Sequence, residues 1–294
     1  MAQRSWLFVP GDSERKLAKA TSCGADVLVI DLEDAVAPAN KGLARQLAAD
    51  WLKTHAQRVT ARSFARWVRI NPLAHPELWR EDLAAVMAGR PDGIMVPKAS
   101  GPEQLRLLTA EIYELEPRHG VASGTTRLMP MVAETPAAAL SITSYAHAPL
   151  PRLAGLTWGA EDLAAAMGAQ RKRTAEGSWT DAFRLVRSQP LLTAHALGVP
   201  ALDAVYADFS DTDGLARAAR DAFMDGFTGM LAIHPAQVPV INAAFTLDEA
   251  AVARAWGIVE AFAAEPGAGA LGYEGAMIER PHLEQARRLL DELP

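Results

Sequence analysis

Short apolar runs alternate with longer stretches of helical spacing along most of the chain. Runs rich in Val, Ile and Leu are typical of buried parallel strands, which helices connect. The pattern predicts eight strands, at residues 6–9, 27–32, 67–71, 93–96, 127–132, 155–158, 201–205 and 230–233. It also predicts eight helices, at residues 14–21, 41–53, 76–88, 102–114, 135–145, 179–197, 213–224 and 248–264.

Eight strand–helix units predict an α/β fold, the TIM (β/α)8 barrel, because helical crossovers force a parallel sheet. A doubly wound open sheet stays possible, since periodicity does not show closure. The 294 residues suit either two domains of about 150 residues or one barrel of about 250 with a remainder. No linker divides the middle of the chain, so a barrel domain is predicted at residues 1–265, with a C-terminal hinge and helical tail at 266–294.

The GAGALG segment at residues 267–272 matches the spacing of a dinucleotide-binding loop. Such a loop follows a strand, whereas this segment follows a predicted helix. The segment is therefore interpreted as a flexible hinge, and the last predicted helix spans residues 281–293.

Charge and cysteine content exclude several classes of protein. The net charge is -6, with 35 acidic and 29 basic residues, whereas a general nucleic-acid binder needs a basic surface. The single cysteine, Cys23, excludes an internal disulfide framework and a CxxC zinc site. The first apolar run is too short for a signal peptide, and no stretch is long enough for a membrane span. A soluble cytoplasmic protein is expected.

Ionisable residues stand at the ends of six predicted strands. In a TIM barrel these ends and the following loops form the active site, so the bias toward ionisable groups indicates one here. The residues are Asp31, Glu33 and Asp34 after strand two, Arg69 in strand three, Lys98 after strand four, Glu134 after strand five, Glu161 and Asp162 after strand six, and His234 after strand eight.

The acidic residues of neighbouring strands indicate a magnesium site. Mg²⁺ typically takes one or two protein carboxylates, which Glu134 and Asp162 could supply, and completes its shell with water and substrate oxygens. The seven histidines are scattered without a zinc motif. Arg69 needs an anionic partner, which is either a structural carboxylate or a substrate carboxylate. Lys98 could form a Schiff base, but an ion-pairing role is favoured beside candidate metal ligands.

Eight stretches of the chain, in order from residue 4 to residue 286, resemble one family. They are RSWLFVPGD, GADVLVIDLEDAVAPANKGLAR, VRINP, IMVPK, MVAETPAAAL, LTWGAEDLAAAMG, GFTGMLAIHPAQVPVIN and GAMIERPHLEQA. The chain resembles the CitE-like family, which comprises the citrate lyase beta chain, malyl-CoA lyases and citramalyl-CoA lyases of the HpcH/HpaI aldolase superfamily. The resemblance implies a TIM barrel.

The resemblance also implies a reaction and its groups. Glu134 and Asp162 would be the Mg²⁺ ligands, Glu134 would also lie at the substrate, and Arg69 would bind the substrate carboxylate and take part in catalysis. The implied activity is reversible carbon–carbon cleavage of a 3-hydroxyacyl-CoA, such as malyl-, citramalyl- or citryl-CoA, into an acyl-CoA and a 2-oxo acid. The alternatives are an acyl-CoA thioesterase, a CoA-independent 2-oxo acid aldolase, and a subunit of a citrate lyase complex.

The same resemblance assigns roles outside this rim. The CoA arm would bind near the first helix, where Arg15, Lys16 and Lys19 could contact its phosphates. A carboxylate of the C-terminal tail, at Glu279, would protonate the thioester enolate, reaching over the active site of a neighbouring subunit. The family is commonly a homotrimer or a dimer of trimers.

Two positions depart from the family pattern. Glu279 stands where family members carry aspartate, so its carboxyl group is extended by one methylene, and an error near 1 Å can reduce a rate about 100-fold. Met230 stands where family members often carry lysine.

Overall fold

The computed structural model describes residues 3–56 and 64–291, which form two compact units. The first unit reaches Phe245 and contains a closed parallel barrel. Its strands, in barrel order, are β1 (Ser5–Pro10), β2 (Val27–Asp31), β3 (Ala65–Arg69), β4 (Gly93–Val96), β5 (Arg127–Val132), β6 (Leu156–Trp158), β7 (Ala201–Asp203) and β8 (Gly229–Ala232). The predicted TIM barrel is confirmed, and the open sheet is excluded.

Helices follow the strands as the sequence pattern predicts, with two additions. They are α1 (Glu14–Ala20), α2 (Lys41–Thr54), α3 (Pro76–Val86), α4 (Pro102–Arg118), α5 (Pro136–Ser141), α6 (Ala160–Met167), α7 (Asp181–Leu197), α8 (Thr212–Asp225) and α9 (Gln237–Ala244). The short helices α6 and α9 were not predicted. None of the helices in the described part of the chain has the length and apolar character to cross a membrane.

Alternating side chains divide the barrel wall into two buried faces. The inward side chains of seven strands form a cluster that fills the barrel, with Trp6 and Trp67 packed at a ring-centroid distance of 4.9 Å. Gly93 on β4 provides the room, because a Cβ atom there would lie 2.4 Å from the Trp67 ring. The outward side chains pack under the helices in a larger cluster. Burial on both faces explains why the strands are continuous apolar runs.

The second unit begins at Thr246 and contains α10 (Glu249–Ala264), β9 (Ala270–Tyr273), β10 (Ala276–Glu279) and α11 (Arg280–Asp291). Its core includes Ile258, Phe262 and Ile278. The sequence pattern assigned helix 248–264 to the barrel, but α10 belongs to this unit and α9 follows β8 instead. The division after Phe245 thus precedes the predicted domain boundary at residue 265.

A β-hairpin occupies part of the predicted hinge. β9 and β10 pair antiparallel around Glu274 and Gly275, which both have positive φ, of 48° and 79°. A two-residue turn with both central residues in this region fits the twist of a hairpin. The predicted hinge therefore has regular structure from Ala270 onward, which the glycine-rich sequence did not indicate.

Candidate active site

Charged side chains converge at the carboxyl ends of β2 to β6. Five carboxylates and three cations make direct contacts or interact electrostatically there: Asp31, Glu33, Asp34, Glu134 and Asp162, with Lys41, Arg69 and Lys98. Four of these eight groups are buried, namely Asp31, Glu33, Arg69 and Glu134. The carboxylates outnumber the cations, so the rim has an excess of negative charge in a region largely shielded from water.

Asp31 fixes the Arg69 guanidinium. The Nε and Nη2 atoms of Arg69 donate to the two carboxylate oxygens of Asp31 at 2.7 and 2.5 Å, and backbone amides of Glu33 and Ala35 donate to the same oxygens. Burial opposes ionisation of Asp31, but Arg69 and these donors hold its pKa below the ordinary value. One edge of the Arg69 guanidinium is therefore paired with a structural carboxylate, which is one of the two partners that the sequence allowed. The central carbon of the guanidinium lies 4.5 Å from the ring centroid of Phe8.

The other edge of Arg69 faces Glu33. Arg69 Nη1 lies 3.0 Å from Glu33 Oε2, yet this oxygen is buried and accepts no hydrogen bond from the described residues. The contact between Nη1 and Glu33 is therefore an ion pair without a hydrogen bond. Burial raises the pKa of Glu33, although Arg69 and Lys98 oppose this shift.

Lys98 joins the acidic groups of β2 to those of β5 and β6. Its ammonium group contacts Glu33, lies 2.9 Å from Asp34 Oδ2 and lies 3.5 Å from Asp162 Oδ1. Its backbone N–H donates to Glu134 Oε2. Burial opposes the charge of Lys98, but the carboxylates raise its pKa above the ordinary value. Its amine is therefore held protonated, which disfavours the Schiff-base alternative.

Two backbone features orient Glu134. Lys98 has a φ of 50°, a left-handed conformation that is uncommon for a residue with a side chain and that aims its N–H at the carboxylate. Gly159, after β6, leaves space on the other side, since a Cβ atom there would lie 2.6 Å from Glu134 Oε1. The sequence predicts neither feature, because each depends on the approach of one strand end to the next.

Glu134 is almost fully buried, and burial raises its pKa well above the ordinary value. Repulsion by Asp162 and Glu33 raises it further, against the opposing effects of the Lys98 amide and Arg69. Asp162 is more exposed and lies in the first turn of α6, where the helix dipole favours a negative charge. The ionised form of Glu134 consequently needs a further positive charge at this rim.

This donor set fits a hard divalent cation. Glu134 and Asp162 offer carboxylate oxygens, and a cation between them would offset their repulsion. Among residues 3–56 and 64–291, no group of three or more His, Cys, Asp or Glu side chains is arranged to hold a metal ion. Two protein carboxylates with water and substrate oxygens are the coordination typical of Mg²⁺ rather than of a structural zinc ion.

The remaining predicted residues are exposed positions of α1 and of the second unit. Arg15, Lys16 and Lys19 are exposed on α1, which Ser13 caps through its side chain. Glu279 ends β10 in the second unit, and its side chain is exposed. The described structure therefore leaves the roles predicted for these residues as predictions.

Two further residues stand elsewhere around the barrel. His234, after β8, stacks on Phe209 at a ring-centroid distance of 5.0 Å. Met230 is buried in β8 and lines a cavity next to α7 and α8. The cavity includes neither Glu134 nor Asp162 in its wall.

Sequence analysis noted Asp31, Glu33, Asp34 and Lys98 at the rim without including them among the site residues. The structure shows that they form the electrostatic frame of Arg69 and of the two predicted metal ligands. The signal was the DLED segment at residues 31–34, where strand two ends, because carboxylates that are buried there require compensating cations nearby.

Comparison with known proteins links this geometry to one family. A family model described as HpcH/HpaI aldolase/citrate lyase matches residues 4–235. The protein named citrate lyase subunit beta-like protein from Mycobacterium tuberculosis is 36% identical over 285 residues, which cover 97% of this chain and 93% of that protein. The mitochondrial citramalyl-CoA lyase of Mus musculus is 32% identical over 299 residues, covering 98% of this chain and 85% of that protein.

One relative has a different named activity, and one solved structure includes ligands. The (3S)-malyl-CoA thioesterase of Cereibacter sphaeroides is 33% identical over 289 residues, covering 98% of this chain and 93% of that protein. A crystal structure of CitE from M. tuberculosis in complex with magnesium, acetoacetate and coenzyme A aligns with a TM-score of 0.79 at 36% identity. That alignment covers 99% of this chain and 97% of the CitE chain.

Proposed function

Because the chain belongs to the HpcH/HpaI aldolase/citrate lyase family, we propose that it is a Mg²⁺-dependent carbon–carbon lyase acting on a 3-hydroxyacyl-CoA. The substrates proposed are malyl-, citramalyl- and citryl-CoA, which would give an acyl-CoA and a 2-oxo acid. The observation that supports this most directly is the contact of one residue, Lys98, with both Glu134 and Asp162. The lyase names of two relatives and the ligands of the CitE complex agree with it.

We assign the metal to Glu134 and Asp162. When bound, Mg²⁺ supplies Lewis-acid polarisation of the oxygen that is a hydroxyl in the substrate and a ketone in the product. Glu134 is oriented by the Lys98 amide, and Lys98 balances part of the negative charge. This arrangement is set before substrate binds, which is how enzymes stabilise a charge that develops in the transition state.

We assign recognition of the 2-oxo acid carboxylate to Arg69. Asp31 holds one edge of the guanidinium, so the side chain cannot turn away, and the contact of Nη1 with Glu33 is an ion pair without a hydrogen bond. Low exposure strengthens a charge-assisted hydrogen bond from Nη1 to a carboxylate. The exposed cations Arg15, Lys16 and Lys19 are proposed to meet the phosphates of the CoA arm.

The proton for the acyl-CoA product is proposed to come from Glu279. Cleavage leaves a thioester enolate, which needs a positioned acid. Glu279 lies on an exposed face of a two-stranded hairpin, with a backbone N–H bonded to His282 and its carboxyl group accessible. We propose that this unit covers the active site of a neighbouring subunit in a homotrimer or a dimer of trimers. Light scattering on the purified protein would test the assembly.

A thioesterase is the second candidate, because one relative of similar coverage is named for that activity. The two reactions differ in the bond that breaks. A lyase releases an acyl-CoA and a 2-oxo acid, whereas a thioesterase releases free CoA and the hydroxy acid. Mass spectrometry of the products of malyl-CoA therefore separates them.

The decisive experiment mixes the purified protein with Mg²⁺, acetyl-CoA and glyoxylate, pyruvate or oxaloacetate, and follows the condensation product by mass. Activity without any partner protein is expected and would exclude the obligate subunit of a citrate lyase complex. Absence of product with every 2-oxo acid, in either direction of the reaction, would refute the lyase.

Glu134→Gln and Asp162→Asn should each abolish the Mg²⁺-dependent activity and weaken Mn²⁺ binding measured by electron paramagnetic resonance. Glu161→Gln is the matched control, since Glu161 lies in the same helical turn and contacts Lys172 instead. Full activity of either ligand variant would refute the metal assignment.

A further inference from the structure

A cavity of about 380 Å³ lies between α7 and α8, outside the barrel wall. Asp203 and Met230 line it, whereas their strand neighbours Leu202 and Leu231 face the barrel interior. Its volume is at the lower end of the ~300–1,000 Å³ typical of small-molecule sites. The proposed lyase mechanism uses none of its lining residues.

Four arginines line this cavity and reach it from three segments of the chain. Arg173 belongs to the loop before α7, Arg184 and Arg187 belong to α7, and Arg217 belongs to α8. Arg187 is committed to protein carboxylates, because it binds Asp203 at 2.7 Å and Asp225 at 2.6 Å.

The other three guanidinium groups retain unused donors. Arg173 donates to the carbonyl oxygen of Gly177 and lies 3.7 Å from the ring centroid of Trp179. Arg184 has one distant carboxylate, on Asp181 at 3.8 Å. For Arg173 and Arg217, no carboxylate of the described residues lies within 4.0 Å.

Arg173 has no carboxylate of the described residues within ion-pair distance and stacks on Trp179 instead. It is partly buried, and burial lowers the pKa of its guanidinium despite attraction to Asp203, Tyr206 and Asp221. The two cavity carboxylates that Arg187 does not bind, Glu176 and Asp221, are exposed to solvent. Their charges are therefore screened more strongly than that of Arg173.

We propose that this cavity binds a phosphoryl group between Arg173, Arg184 and Arg217. Guanidinium groups from three segments of the chain suit a tetrahedral dianion, because each of its oxygens can accept hydrogen bonds from a different arginine. The stacked Trp179 ring limits the motion of Arg173 and so reduces the entropy lost on binding. Free phosphate and a phosphate monoester share this chemistry, since both present terminal phosphoryl oxygens.

Isothermal titration calorimetry of the full-length protein with inorganic phosphate, glycerol 3-phosphate and citrate would test this proposal. Arg173→Gln and Arg217→Gln should each weaken phosphate or ester binding about tenfold or more, as expected for the loss of a charge-assisted hydrogen bond. Asp221→Asn should strengthen it by removing an opposing charge. Arg118→Gln is the control, because Arg118 is an exposed helical arginine outside the cavity.

The outcomes distinguish the ligand and the site. Stronger binding of glycerol 3-phosphate than of phosphate would identify an ester, and the reverse order would identify the free ion. Binding that is lost in Lys16→Gln but kept in Arg173→Gln and Arg217→Gln would move the site to α1 and overturn the proposal. Absence of binding by wild type, or binding of citrate alone, would also overturn it. Thermal melting of each variant would confirm that it is folded.

Discussion

Glu116 at the end of α4 is expected to stabilise the barrel through a buried ion pair. Its carboxylate oxygens accept from Arg152 Nη1 and Nη2 at 2.7 and 2.8 Å, and from the backbone amides of Gly124 and Thr126. Both side chains of the pair are almost fully buried. Burial alone would raise the pKa of Glu116, but Arg152 and the amide donors lower it to about 2 from 4.5.

This pKa difference sets both the size and the pH range of the effect. A decrease from 4.5 to about 2 corresponds to roughly 3 kcal/mol at about 1.4 kcal/mol per unit. Because the folded pKa is lowered, the contribution is fully present above pH 4.5 and is lost as the pH falls toward 2. Glu116→Gln should therefore lower the free energy of unfolding at pH 7 by about 3 kcal/mol, since it also leaves Arg152 buried without its counter-charge.

Urea unfolding of wild type and Glu116→Gln, followed by circular dichroism between pH 3 and pH 8, would measure this difference. The stability difference should be largest near neutral pH and should shrink in acid. Glu114→Gln is the matched control, because Glu114 is an exposed residue of the same helix. Equal stabilities at pH 7, or a difference that does not change with pH, would refute the reasoning.

Three other changes test the proposed site. Arg69→Lys should reduce kcat/KM for the carboxylate substrate by about 100-fold or more, because lysine cannot keep both the ion pair with Asp31 and a contact with the substrate. Unchanged kinetics would show that Arg69 does not belong to the site. Asp31→Asn should lower the melting temperature and kcat/KM together, because removing one partner of a buried ion pair costs about 3–5 kcal/mol of stability. The control Asp34→Asn changes an exposed position and should leave the melting temperature unchanged. Glu279→Gln should bind substrate with turnover reduced roughly 100-fold or more, and rapid turnover would mean that another group donates the proton.

The sequence predicts the barrel because each strand is buried on both faces. β2 shows this directly, since all five of its residues are buried and its sequence is a nearly pure apolar run. The hydrophobic pattern does not predict the short helix α9, because the buried face of this helix includes the polar residue Gln237. The Gln237 side chain accepts a hydrogen bond from the Ile233 N–H and donates one to the Tyr206 carbonyl oxygen. The pattern does not predict the hairpin β9–β10 either, because the segment is rich in glycine and its strands are defined by hydrogen bonding to each other.

The residues of the candidate site also divide into those that the sequence predicts and those that it does not. Glu134 and Asp162 could be found from their positions after strands, which parallel topology brings to one rim. The partners of Arg69 could not be found, because the sequence shows a buried cation without showing which carboxylate meets it. Asp31 and Glu33 occupy that place in the structure, and binding of a substrate carboxylate by Arg69 remains a prediction.

The hydrogen bond from the Lys98 backbone to Glu134 has a consequence for how this enzyme could diversify. A main-chain donor survives substitution of the side chain that it belongs to, so the orientation of Glu134 does not depend on lysine at position 98. The left-handed backbone at that position limits replacement mainly to residues that tolerate positive φ, glycine and asparagine among them. Evolution could thus exchange the ammonium group for a smaller or neutral side chain, and so change the space and charge at this rim, while keeping the Glu134 carboxylate in its present orientation.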